Sequence, residues 1–102
     1  MSDQLVLVEE ETFSRGLFGE CISFFEHNEI YLLSLSQVKL DHTQAIALNR
    51  VGVPVRTGAF VLIELSGRVP DALAAQFQRN FAEVGHIVPP EAVDIFDHLF
   101  LL

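Results

Sequence analysis

Apolar residues gather in three short, nearly continuous runs: QLVLVEE (4–10), EIYLLSLS (29–36) and AFVLIELS (59–66). Runs of this length with little alternation suit strands covered on both faces. Between them the spacing turns helical. From Phe13, apolar residues fall at 13, 17, 18, 21, 22, 24 and 25, while Arg15, Gly16, Gly19, Glu20, Ser23, Glu26 and His27 fill the other side. That is a helical period, with Asn28 placed to close it. A hairpin, CISFFE–HN–EIYLLS, is the competing pattern; it alternates poorly and sets Glu26 close to Glu29.

A second helix is predicted over Asp41–Arg50, where DHTQ imitates a capping box and Gly52 follows the end. AIALNRV also reads as strand. The third helix, PDALAAQFQRNFAEVG, carries Leu73, Phe77, Phe81 and Val84 as one stripe, with Pro70 at its entrance and Gly85 at its exit. A last helix follows HIVPP, with Glu91, Asp94 and His98 on one face and Val93, Phe96 and Phe100 on another. Strand and helix alternating in this way predict an α/β fold: a small two- or three-layer domain with a short, mostly parallel sheet and a C-terminal helical pair. An α+β domain with a mixed sheet is the alternative if residues 41–56 are strand.

The 102 residues, half of them hydrophobic, make a single domain spanning 1–102. No apolar run is long enough to cross a membrane, and the acid-flanked start lacks the basic residues and long apolar stretch of a secretory signal. One cysteine forms no internal disulfide, so a cytoplasmic protein is expected. Fourteen acids against six scattered bases give a net charge of −8. That charge opposes a phosphate backbone and argues against nucleic acid as a partner. Its simplest use is to keep an apolar protein dispersed.

Candidates for chemistry are few. Cys21 lies on the apolar helical face between Leu17 and Phe24, beside Glu20, where a thiol packs as a small hydrophobe and resists ionisation. Gly16, Gly19 and Ser23 form a small-residue strip, read as a close backbone approach or as a helix that starts later than Phe13. GLFG lacks the spacing of a dinucleotide loop and follows three glutamates. Glu91, Asp94 and His98, with His86, are the metal candidates by spacing, although a solvated polar face looks the same. Glu9, Glu10, Glu11, Asp41 and Asp71 meet only if a parallel sheet gathers them at its C-terminal edge. His27 and His42 sit at predicted turns or helix ends. No nucleophile–base pattern is present, and no cofactor is implied.

The sequence ends DIFDHLFLL. Each large apolar side chain left in water forgoes about 1.5–3 kcal/mol of burial. Phe96, Leu99, Phe100, Leu101 and Leu102 are therefore the predicted partner-binding residues, in a homodimer or against another protein subunit. Binding rather than catalysis is the expectation: a small acidic accessory, regulatory or assembly subunit.

A second reading comes from resemblance. FSRGLFGECISFFEHNEIYLLSLS resembles the first helix and second strand of the small DsrE/TusB-type sulfur-relay subunits, through Phe13, Arg15, Glu20 and Cys21 and then the YLL strand. VLIELSGRV resembles a later strand of that family. The resemblance implies a thiol-based sulfur-relay or redox subunit with Cys21 as the working thiol.

Overall fold

β1 (Gln4–Glu9) turns Val6 and Val8 to one face and Leu5 and Leu7 to the other, and all four are fully buried. A strand apolar on both sides belongs in the middle of a covered sheet. The computed structural model describes residues 4–11, 16–81 and 85–96 and places β1 there. Along the chain follow α1 (Phe18–Glu26), β2 (Leu32–Leu40), α2 (His42–Arg50), β3 (Gly58–Leu65), α3 (Asp71–Phe81), β4 (Gly85–Val88) and a 3-10 helix (Pro90–Phe96).

The sheet order is β2-β3-β1-β4, and every neighbouring pair is antiparallel. This overturns the predicted α/β fold with a mostly parallel sheet; the domain is α+β. The reason lies in the connections. β1 and β2 do run the same way and are joined through α1, but β3 is inserted between them in the opposite direction. β3 and β4 repeat the device through α3, with β1 inserted. Each split β-α-β unit supplies the central strand of the other, which is the ferredoxin-like arrangement. Here a helix, α2, stands in the connection between β2 and β3. The expected C-terminal helical pair is corrected too: the HIV of HIVPP belongs to β4, and the segment from Pro90 to Phe96 is a 3-10 helix.

Two apolar layers hold the sheet. On one face Val6, Val8, Val61, Ile63 and Leu65 pack against Cys21 and Phe25 of α1 and Leu73 and Phe77 of α3. Four phenylalanines tie those helices together, with Phe25 stacked on Phe77 at 5.0 Å and Phe24 meeting Phe81 edge-on at 5.9 Å. On the other face Leu5, Leu7, Phe60 and Leu62 pack against Leu48 of α2 and Ala92 and Phe96 of the 3-10 helix. The continuous apolar runs of β1 and β3 thus report two covered faces, whatever the strand direction, whereas the run that forms β2 leaves Leu33 and Leu35 exposed.

The helix predicted over Asp41–Arg50 forms as read. The Gln44 backbone N–H donates to Asp41 Oδ1 at 2.8 Å, the Asp41 N–H donates to Gln44 Oε1 at 3.0 Å, and Gly52 follows at φ +89°. α1 begins at Phe18, five residues later than the periodicity suggested. Gly16 adopts φ +73° just before it, and a Cβ on Gly16 or Gly19 would meet nothing within 4 Å. Gly16 accommodates the turn into the helix, and among the described residues no backbone packs on either glycine. Among the described residues no helix is long and apolar enough to cross a membrane.

Candidate functional site

β2 is nine residues long and, among the described residues, pairs only with β3, so its outer side is an open edge. Burial alternates along its first half, and a β-bulge between Leu32 and Ser34 takes Leu33 out of the ladder with β3. Tyr31 is 52 % exposed, Leu33 61 % and Leu35 43 %. Leu35 shares the face of its partner Ile63, but it lies at the margin of the layer that α1 and α3 cover. Ser34 Oγ donates to Glu64 Oε1 at 2.9 Å and steadies the strand from the opposite face. Lys39 is the single charge in the strand. The bulge at one end and the lysine at the other leave Ser34–Val38 as the stretch able to accept another strand.

A cavity of about 470 Å³ lies at the opposite side of the sheet, between α3, the outer side of β4 and the 51–54 loop. Two polar residues in its wall are buried. Gln4 is fully used: its amide donates to the Val88 carbonyl at 3.1 Å and its Oε1 accepts from the Val69 N–H at 3.3 Å. His86 is 8 % exposed, and its imidazole makes no hydrogen bond among the described residues. Burial lowers its pKa, and the Glu9 carboxylate offsets part of that, so the imidazole is neutral at pH 7.

The residues singled out from sequence are dispersed by the fold. Cys21 is fully buried on the α1 face, and burial first, then Glu20, pushes its thiol up to about 11. A thiol in that state is a packing group. Phe96 is also fully buried, in its own chain's core, so it offers no surface to a partner. Leu99, Phe100, Leu101 and Leu102 lie outside the described residues, as does His98. Glu91 and Asp94 stand exposed on the 3-10 helix, and no group of three or more His, Cys, Asp or Glu is close enough to hold a metal among the described residues.

The acids do not converge. An antiparallel sheet has strand C-termini at both rims, so Glu9 and Asp41 share one rim with β3 between them, whereas Asp71 starts α3 at the other. Asp41 is engaged as a helix cap. His27 Nδ1 donates to the Ser23 carbonyl at 2.7 Å, which closes α1, and His42 is exposed at the start of α2.

Tyr31, Leu33, Leu35 and Arg68 were not picked out by sequence reasoning, and His86 was picked out only as a metal candidate. The LSLS alternation at 33–36 is the trace of the edge: a covered strand has no need of two serines on one side. Compared with known protein families and with curated proteins, the chain matches no family and no individual protein.

Proposed function

We propose that this chain is a non-catalytic accessory or assembly subunit that works by binding protein, beginning with a second copy of itself across the edge of β2. The observation that carries this is the open nine-residue strand bearing exposed Leu33 and Leu35, with exposed Tyr31 just before it. An unpaired edge offers a row of backbone donors and acceptors, and exposed apolar side chains beside it gain by being covered. The charges favour a two-fold antiparallel pair. Glu29 lies just before the strand and Lys39 near its end, so antiparallel pairing sets each acid toward the partner's lysine. Parallel pairing would put like charges together. Such an isologous contact closes on itself and leaves the rest of the acidic surface in water.

The buried thiol of Cys21, with its raised pKa, supports binding over thiol chemistry. A lone buried cysteine also suits a cytoplasmic protein.

Sedimentation equilibrium at micromolar concentration tests the reading. The dimer mass is expected for the natural sequence, and the monomer mass for Leu33→Lys with Leu35→Lys, the helical circular-dichroism signal being unchanged. A natural chain that stays monomeric, or a double variant that still dimerises, overturns β2 as the contact.

A further inference from the structure

We propose that the cavity between α3 and β4 binds a small apolar α-amino acid in its zwitterionic form. The walls suit a compact apolar body that carries charged groups. Asp71, Ala74, Ala75 and Gln78 recur at the spacing of one helical face, opposite the Leu73–Phe77 stripe that enters the core. The two alanines leave room where larger side chains would fill it, and Val53, Ile87, Pro89 and Pro90 complete an apolar surround. A volume of about 470 Å³ is in the range of small-molecule sites.

The polar groups are unspent. Arg68 and Asp71 both line the cavity, are exposed, carry opposite charges, and form no ion pair with each other or with any other residue among the described residues. Lining one cavity without pairing, they match a ligand that brings a carboxylate for the guanidinium and an ammonium for the aspartate. Gln78 Oε1 accepts from the Ile87 N–H at 3.5 Å, which leaves its amide donor free for the carboxylate. His86 adds a neutral imidazole, over nine-tenths buried in the same wall, with neither nitrogen hydrogen-bonded among the described residues. A buried polar group without a partner is unusual in a folded protein, and a ligand in the cavity supplies one. A simple anion would face Asp71 uncompensated, and a simple cation would face Arg68. The zwitterion satisfies both.

L-leucine and L-phenylalanine are the probes, titrated at pH 7 while backbone amide resonances are followed. Saturable shifts centred on Ala75, Gln78 and His86 are expected with at least one of them. 4-Methylpentanoate and 3-methylbutylamine, the leucine body with one charged group removed, are expected to bind at least about tenfold more weakly, as is leucine to Arg68→Gln. Ala75→Trp, at an exposed position, fills the cavity and is expected to abolish the shifts. Absence of saturable shifts with both amino acids at millimolar concentration overturns the site. Equal binding of either analogue overturns the zwitterion, and binding that survives Ala75→Trp overturns the location. None of these readouts depends on β2.

Discussion

The two outer strands of this sheet are finished in opposite ways. β4 is four residues long; Gln78 reaches the outward Ile87 N–H at 3.5 Å, and Pro89 and Pro90 stop the strand. Its first residue, Gly85, lies directly beneath Phe77 of α3. β2 is nine residues long and has leucines where β4 has a side-chain cap. Short length, proline and covering are the ordinary means of closing an edge. The chain uses all of them at one end of the sheet and relies on a bulge and one lysine at the other. The open edge is therefore a local property of β2, since the same chain has the means to close one.

Removing the cover from β4 has the largest expected effect. Phe77 is fully buried and touches the rings of Phe24, Phe25 and Phe81. Phe77→Ala empties that junction and is expected to cost about 3–5 kcal/mol in urea unfolding. Amide protection should fall first in β4 and α3, and last in the β2–β3 ladder. Equal loss in β2 would show that the two edges are not independent.

A smaller change sharpens the same contrast. A Cβ on Gly85 would stand 2.9 Å from Phe77 Cζ and 3.2 Å from its Cε2. Phe77 is held by other rings and has nowhere to retreat, so Gly85→Ala is expected to cost about 1–3 kcal/mol by overpacking. In a double-mutant cycle, the penalty should shrink markedly in a Phe77→Leu background, because the two changes act on one contact. Full additivity would mean that Gly85 is needed for its backbone and not for the ring above it.

How far these features were legible in sequence depends on how local their causes are. The Asp41–Gln44 capping box is a four-residue signal and formed as read. The Leu73, Phe77, Phe81 stripe marked α3 for the same reason. Strand direction was not local. An apolar run before and after a helix looks the same whether the two strands touch or admit a third between them, and here β3 and β1 are both admitted. β4 was hidden because GHIV is too short for a period, and its glycine, required under Phe77, reads equally well as a helix stop. The cavity joins residue 4, the 51–54 loop, α3 and β4, and no spacing along the chain announces that meeting.

The smallest predicted effect is a matter of pH and also separates the two edges. β4 carries His86, buried and with its pKa lowered, whereas β2 has no histidine. Well above pH 6.5 the imidazole is neutral in both folded and unfolded chains, and it contributes nothing to the pH dependence. Below that the unfolded chain takes up the proton and the folded one resists it. Stability therefore falls with pH until the folded pKa is passed. His86→Gln removes this slope, and the difference between variant and natural protein isolates it from the carboxylates that titrate lower. Glu9 eases protonation of His86 in the folded state, so Glu9→Gln should steepen the loss. The exchange of β4 amides should follow the same acid limb while the β2–β3 ladder lags behind it. A slope that persists in His86→Gln would assign the acid sensitivity to another group and leave β4 no more pH-dependent than β2.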